Sequence, residues 1–490
     1  MTKFNDIKKE LIDYGFIWRE DNKKVNEKTG EEKIYHPGPR VIADVLKDHI
    51  VFCTIGNDKR ELEKSPLYHY DPDEGLYTTG IKDIEELMLA FDGTTNSRSR
   101  KEVLQFLRIE SQGVKLTDDS NLIPVGNGIV KLDTMELLPF SAEYVFTTKT
   151  ATNYNPKATE PSFNGWKFSK WIEQLAGEDE TKHLLLWQMI ASVIKGRTGL
   201  MYLFVDNGQG RTGKSTLQQL LINLVGSGNY RALKLKQFDN DFLLAQGYGA
   251  RLLVGDDNDP SGFIDDGSNL KSVVTDEIVL VNPKKMTPFT AKFKAVVIQS
   301  MNGLPKFRDK TGGLYRRFRM VYFNHQWPAD KASERIKKEY IYNPGLLEWI
   351  LKKALTIDIK EIANPSESIE LVETTRLAND PIAYFVSEYV PQLKSERLPT
   401  KFLFNFYLWA MQRENNPQRL SQRKFTNDIR PYMEALGWKY KNNGSVPSVY
   451  FNQLDFDLFK SYDPNRGLSA ETLYNVRVEM NRKQGLFDRT

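Results

Sequence analysis

MYLFVDNGQGRTGKSTLQQLLINLVG, residues Met201 to Gly226, holds three patterns in series. Met201 to Val205 is an unbroken apolar run that reads as a buried strand. Gly208-Gln-Gly-Arg-Thr-Gly-Lys-Ser215 then fits G-x-x-x-x-G-K-[ST]. Leu217, Leu220, Leu221 and Leu224 follow at helical spacing and stop at Gly226. Strand, loop and helix in this order suit phosphate. Glycines let backbone N–H groups close around the oxygens, and the helix N-terminus adds positive potential. The pattern predicts that Gly208, Gly210, Arg211, Thr212, Gly213, Lys214, Ser215 and Thr216 cradle ATP. Lys214 would reach the β and γ phosphates, and Ser215 would ligate Mg²⁺.

Two further strands complete the expectation. Arg251-Leu-Leu-Val-Gly-Asp-Asp257 ends an apolar run in two carboxylates. Asp256 is assigned to the metal and Asp257 to the attacking water. Phe293-Lys-Ala-Val-Val-Ile-Gln-Ser300 runs into Met-Asn-Gly-Leu-Pro305, which places Asn302 where it could sense the γ-phosphate. Arg316-Arg317 follow in GLYRRFRMVYF, either as a solvated pair or as an arginine finger for a neighbouring subunit. Apolar runs that end in polar residues are the mark of buried parallel strands delivering groups at their carboxyl ends. The expected fold is therefore α/β with a central, mainly parallel sheet.

Composition bounds the alternatives. The chain has 490 residues, enough for about three domains. A formal charge of +4 confines any nucleic-acid surface to local patches. Cys53 is the only cysteine, which excludes a disulfide scaffold and a cysteine-pair zinc site. Five histidines argue against a multi-histidine metal centre. The start, MTKFNDIKKELIDYGF, has no apolar signal core, and the apolar stretch His183 to Ile194 is too short to cross a bilayer. A cytoplasmic protein with no membrane partner is expected.

Around the central region, residues 1–155 mix helical and strand patterns as an α+β domain. Ile7, Leu11, Tyr14 and Ile17 suggest an opening amphipathic helix, and Asp21 to Lys33 a loop or hairpin tip. VGNGIVKLDTMELLPF reads as two strands joined near Asp133 and Thr134. Asn155-Pro-Lys-Ala-Thr-Glu-Pro161 is a linker candidate before a helical collar at 162–200, and 201–325 is the ATPase region. A helical segment at 326–375 contains a second linker, Asn364-Pro-Ser-Glu-Ser368. Residues 380–455 form a basic domain, and 456–490 a tail.

Between Lys401 and Lys441 eight basic residues face three acids. Ser421 is a good N-cap for a helix carrying Phe425, Ile429 and Met433 on one face, which Pro431 would kink or end. WKYKNNGSVPSVYF reads as a hairpin around Asn443-Gly444. Helices followed by a basic hairpin suggest a winged helix with Arg423 and Lys424 at the start of its recognition helix. Tyr70-Asp-Pro-Asp73 resembles a paired-Asp primase element, but the proline, Gly75 and the lack of partner ligands favour a turn.

In order, GQGRTGKS, LLVGDD, a Lys-bearing hairpin segment, VVIQSMNGLP and YRRFRMVYF resemble a superfamily-3 helicase, an AAA+ motor. More narrowly the chain is similar to phage, plasmid and pathogenicity-island primase-helicases, related to the poxvirus one. LYHYDPDEGLY and NLIPVGNGIVKLDTMELLPF resemble the domain preceding that motor, and the likeness covers roughly residues 65–325. The resemblance implies a homo-hexamer moving 3′ to 5′ on single-stranded or forked DNA in a bacterial host's cytoplasm. It also implies a DNA-tracking hairpin, here Ile278-Val-Leu-Val-Asn-Pro-Lys-Lys-Met286, with Lys284 and Lys285 near passing phosphates. A replication origin and a separate primase are further expected partners. A non-unwinding AAA+ DNA motor and a P-loop kinase are the competing readings. Which of Arg316 and Arg317 is the finger stays open.

Overall fold

The computed structural model describes residues 3–25, 29–196, 199–208, 210–260, 263–264, 267–284, 288–307, 312–447, 450–462 and 482–489. The chain divides into two compact units, Met1–Ile369 and Glu370–Thr490.

The first unit is built on five parallel strands: β1 (Met201–Asp206), β2 (Tyr230–Ala232), β3 (Leu252–Asn258), β4 (Val296–Asn302) and β5 (Phe318–Tyr322). Their order is β2-β3-β4-β1-β5. The expected parallel sheet is thus present, and the apolar runs read as strands from sequence are its three middle members. All six residues of β1 are buried, and β4 is buried up to Asn302. Strands covered on both faces need such continuous apolar character. From β1 the chain passes two strand positions to reach β2, and from β4 it skips β1 to form β5. The connections leaving the adjacent strands β1 and β4 therefore run in opposite directions, and a crevice opens beyond their carboxyl ends.

Helices α1 (Phe168–Ala176), α2 (Glu180–Lys195), α3 (Lys214–Val225) and α4 (Pro344–Leu355) share one apolar core with the sheet. Trp171, Trp187, Leu221 and Ile350 meet Tyr202 and Ile298 there. α2 starts where the Asp179 carboxylate accepts from the backbone N–H of Thr181 and Lys182, at 2.8 and 3.0 Å, and stops at left-handed Gly196. The 155–161 stretch carries no regular element but packs on α4: Asn155 donates to Glu348 at 2.9 Å, and Lys352 to the Ala158 carbonyl at 3.0 Å.

Ahead of these lie the helices Phe4–Asp21, Pro39–His49, Lys59–Lys64, Ile81–Phe91 and Ser97–Glu110, and a four-stranded sheet. The opening helix forms as read, but its buried stripe is Ile7, Leu11 and Gly15. Tyr14 and Ile17 are 44% and 53% exposed. The reason is backbone approach: a Cβ on Gly15 would lie 2.0 Å from the Phe91 carbonyl oxygen, so the glycine, not its larger neighbours, faces the end of helix Ile81–Phe91. At the expected loop or hairpin tip, Lys23–Val25 pairs antiparallel with Glu32–Ile34. Gly128–Lys131 and Glu136–Leu138 pair antiparallel across Asp133 and Thr134, with Leu122–Val125 on the other side.

The second unit has helices Pro381–Glu388, Thr400–Arg413 and Gln422–Ala435 around Phe385, Phe406, Tyr407, Phe425 and Trp438. Helix Gln422–Ala435 begins at Ser421, whose hydroxyl accepts from Lys424 N at 3.3 Å, and runs through Pro431 without ending. The hairpin expected around Asn443-Gly444 does not form. Lys439–Gly444 continues as a strand through both residues and pairs antiparallel with Gln484–Asp488. Gly444 lacks the positive φ that a two-residue hairpin turn would require. Gln484–Asp488 is the middle strand of a three-stranded sheet whose other edge is Arg397–Pro399, and Phe487 lies in the core. The stretch read as a tail therefore closes this unit.

Candidate nucleotide site

The loop after β1 is braced from beneath by Asp206, which is 4% exposed. One of its carboxylate oxygens accepts from Gly208 N at 3.1 Å and the other from Thr212 Oγ1 at 3.2 Å. Gly208, Gly210, Arg211 and Gly213 all have positive φ, which turns the chain back on itself before α3. Gln209 lies outside the described residues. Lys214, the first residue of α3, is buried. Its Nζ donates to Asn302 Oδ1 at 2.6 Å and to the Met301 carbonyl at 3.1 Å, and lies 3.3 Å from Asp206 Oδ2. The first strand–loop–helix segment and the end of β4 thus meet through one ammonium.

β3 brings the acids. Its pairing with β4 shifts between Gly255 and Asn258, a bulge that inserts one extra residue and turns Asp256 and Asp257 outward. Two buried amides hold it. Asn258 Nδ2 donates to Gln299 Oε1 and to the Ser300 carbonyl, both at 3.0 Å, and Gln299 Nε2 donates to the Leu233 carbonyl at 3.0 Å. Gly255 leaves room for Gln299, since a Cβ there would sit 1.9 Å from Gln299 Oε1. Asp256 Oδ1 accepts from Ser300 Oγ and from Asp257 N, and Asp257 has φ +46°. A left-handed aspartate is a strained position of the kind found at functional sites.

Asp206, Lys214, Ser215, Thr216, Asp256, Asp257 and Asn302 line one cleft of about 780 Å³, walled on its far side by Trp171, Trp327 and the helix Lys331–Lys338. The Ser215 hydroxyl and the Asp256 carboxylate are hard oxygen donors of the kind Mg²⁺ takes. No group of three or more His, Cys, Asp or Glu side chains suited to a metal occurs among the described residues. A cation here would depend on phosphate and water oxygens for its other ligands.

Other candidates lie elsewhere. Arg316 is exposed and Arg317 half-buried. Phe318 pairs with Met201, and Met201 N donates to the Arg317 carbonyl at 2.8 Å, so both arginines precede the amino end of the sheet. The glycine-rich loop after β1 is at the carboxyl end, about 20 Å away along a six-residue strand. Within one chain neither arginine lines the cleft. Lys284 is exposed at the turn after Ile278–Val281, which pairs antiparallel with Phe289–Lys292; Lys285 lies outside the described residues. Arg423 and Lys424 are exposed in the first turn of Gln422–Ala435, in the second unit. Asp71, the last residue of strand Tyr68–Asp71, accepts from Asp73 N and Glu74 N at 2.9 and 3.2 Å, so the expected turn falls on Pro72–Gly75.

Sequence reading missed Asp206, Ser300, Trp327 and Lys337. Asp206 was within reach as the last polar residue of β1. The rest come from elsewhere in the chain and carry no local signal.

An α/β protein with a polar cleft beyond the carboxyl end of β1 is the class so defined. Residues 4–172 match the family model "D5 N terminal like", and residues 377–461 match "Poxvirus D5 protein-like". Together these matches span more than half of the chain, which belongs to the D5-like primase-helicase family. Residues 207–317, which hold the cleft's loop and both acids, match a family of unknown function, DUF5906. Among solved structures, the A-form apo structure of the NrS-1 C-terminal region (305–718) is similar at 13% identity, over 92% of this chain and 100% of that one, with a TM-score of 0.49. The apo structure of the NrS-1 C-terminal region (305–718) is similar at 15% identity, over 84% and 97%, with a TM-score of 0.47. No helix among the described residues is long and apolar enough to cross a membrane.

Proposed function

We propose that this chain is an ATP-driven DNA helicase of superfamily 3, acting in replication of a phage or mobile element. The observation that carries the reading is the convergence of Lys214, Ser215, Asp256 and Asn302 at the carboxyl ends of three adjacent parallel strands. A nucleoside triphosphate needs such a set: a cation for the β and γ oxygens, hard oxygens for Mg²⁺, and polar groups around the attacking water. Lys214 offsets charge on the transferring phosphoryl. Asp256 holds the Mg²⁺ water shell, and Asp257 accepts a proton from the water that attacks the γ-phosphorus. Asn302 positions both Lys214 and that water.

The motor reading draws support from the five-stranded parallel sheet and from D5-type sequence on either side of it. Arg316 and Arg317, remote from their own chain's cleft, suit a finger reaching a neighbour's nucleotide in a homo-hexameric ring. In that ring the hairpin Ile278–Val281 and Phe289–Lys292 would carry Lys284 and Lys285 past single-stranded DNA with 3′ to 5′ polarity. In the second unit a helix, the strand Arg397–Pro399, two more helices and then the strands Lys439–Gly444 and Gln484–Asp488 follow in order, with helix Gln453–Ser461 between the last two strands. The three strands form one antiparallel sheet, and this order supports the winged-helix reading. Arg423 and Lys424 would there face duplex DNA such as an origin. A separate primase would supply primers.

The test is strand displacement on a forked duplex by the full chain with ATP and Mg²⁺. Displacement that requires a 3′ single-stranded arm supports the proposal. ATP hydrolysis without displacement on any fork favours a non-unwinding motor.

A further inference from the structure

The segment after β5 returns to the cleft and is fixed there at several points. Phe323 N donates to the Val205 carbonyl at 2.8 Å, and Trp327 N to the Arg211 carbonyl at 3.0 Å. Asp330 then caps the helix Lys331–Lys338 by accepting from Ser333 N at 2.8 Å. Ile336 and Tyr340 are buried in the core shared with α3. The last turn of that helix therefore lies against the start of α3, and Lys337 Nζ donates to Ser215 Oγ at 3.4 Å. Lys338, its neighbour, is engaged instead with Glu334 at 2.5 Å. Lys337 is exposed, and it lines the cleft.

Charge makes this lysine more than a solvated side chain. Lys214 is already faced by buried Asp206 at 3.3 Å, and Asp256 and Asp257 add two more carboxylates to the cleft. A triphosphate entering such a site requires cations beyond Lys214 and Mg²⁺. Arg211, Lys331 and Lys338 also line the cleft, but the ammonium on the Ser215 hydroxyl is that of Lys337, and Arg316 and Arg317 lie at the other end of the sheet in the same chain.

We propose that Lys337 is a cis cation for the terminal phosphate of the bound nucleotide and that it lets the cleft distinguish a nucleoside triphosphate from a diphosphate. The proposal rests on the reading of the cleft as a nucleotide site. Ser215 is its landmark: the hydroxyl expected beside the outer phosphates is the group Lys337 already touches. An ammonium on a four-carbon stem can move the short distance from that hydroxyl to a phosphate oxygen without shifting its helix.

Equilibrium binding of ATP and of ADP to the full chain, each with Mg²⁺, tests it by calorimetry on the wild type, Lys337→Ala, Lys337→Arg, Lys214→Ala and, as a same-helix control, Arg335→Ala. Loss of one charge-assisted phosphate contact predicts roughly 10- to 100-fold weaker ATP binding by Lys337→Ala, with ADP affinity little changed. Lys337→Arg should recover most of the loss, and Arg335→Ala should match the wild type. If Lys337→Ala binds ATP as the wild type does, or loses ATP and ADP equally, while Lys214→Ala loses ATP, the role of Lys337 is overturned and the nucleotide site stands. If the wild type binds neither nucleotide, the nucleotide reading falls and this inference with it.

Discussion

The Lys214 ammonium donates a 2.6 Å hydrogen bond to the side-chain oxygen of Asn302, 88 positions later in the chain. It joins the first residue of α3 to the last residue of β4. With Asp206 at 3.3 Å, it holds the ammonium at the mouth of the sheet, where phosphate oxygens would lie. A buried ammonium held by a carboxylate, an amide and a carbonyl is preorganised and needs little rearrangement when a phosphate arrives.

The two neighbouring acids differ in backbone and partners, which separates their roles. Asp256 is held by Ser300, whereas Asp257 projects from a left-handed residue with a free carboxylate edge toward the cleft. Asp257→Asn should retain ATP binding and hydrolyse ATP slowly, by roughly 10²-fold, because the amide cannot accept the water's proton. Asp256→Asn should instead weaken Mg²⁺-dependent ATP binding. Binding and single-turnover hydrolysis measured on both variants check this; the reverse pattern swaps the roles.

Arg316 and Arg317 lie at the sheet end opposite the cleft, so their role can be tested by mixing chains. An Ala variant of the finger should bind ATP but hydrolyse it about 10³-fold or more slowly. Mixed with Lys214→Ala chains, it should regain part of its hydrolysis, because some interfaces would pair an intact loop with an intact finger. Wild-type ATPase in both single arginine variants would remove the role.

Gly255 allows the β3 bulge. A methyl at this position would meet the buried Gln299 amide at 1.9 Å, and that amide holds Asn258 and the Leu233 carbonyl. Gly255→Ala should lower unfolding stability by about 1–3 kcal/mol through overpacking. It should also impair hydrolysis by displacing Asp256. Chemical unfolding and ATPase assays check the pair of effects; a fully stable, active variant would show that the bulge tolerates a side chain.

Much of this site was legible because its parts are local. The strand–loop–helix at Met201–Val225, the acids ending β3 and Asn302 ending β4 each announce themselves within about ten residues. What could not be read is what distant segments bring. Lys337 reaches Ser215 across 122 positions, and Ser300 reaches Asp256 across 44. The same limit explains the second unit. Asn443-Gly444 carries a hairpin signal, yet the strand's partner is Gln484–Asp488, some forty residues on, and its tertiary pairing overrides the local turn preference. On the opening helix, periodicity pointed to Tyr14 and Ile17, but close backbone approach at Gly15 decided which side was buried.

His69 gives the first unit an acid-sensitive element. It is fully buried with no hydrogen-bond partner for either ring nitrogen, and burial pushes its imidazole down to about 4 despite Asp83 at 3.7 Å. In the unfolded chain it titrates near 6.5. The unfolded state therefore binds the extra proton first. Stability from keeping the ring neutral is complete above pH 6.5 and is lost as pH falls from 6.5 toward 4, by up to about 3 kcal/mol. His69→Leu should show a shallower stability loss between pH 7 and 4.5 than the wild type in denaturant unfolding. Parallel losses in the two proteins would exclude His69 as the cause.

ATP hydrolysis by the wild type and by Lys214→Ala, each with and without single-stranded DNA, tests the central claim most directly. The account predicts DNA-stimulated hydrolysis in the wild type and none above background in Lys214→Ala. The variant should still fold, at a lowered unfolding midpoint, because buried Asp206 loses its cation but retains its bonds to Gly208 and Thr212. Hydrolysis by Lys214→Ala at the wild-type rate would contradict the account.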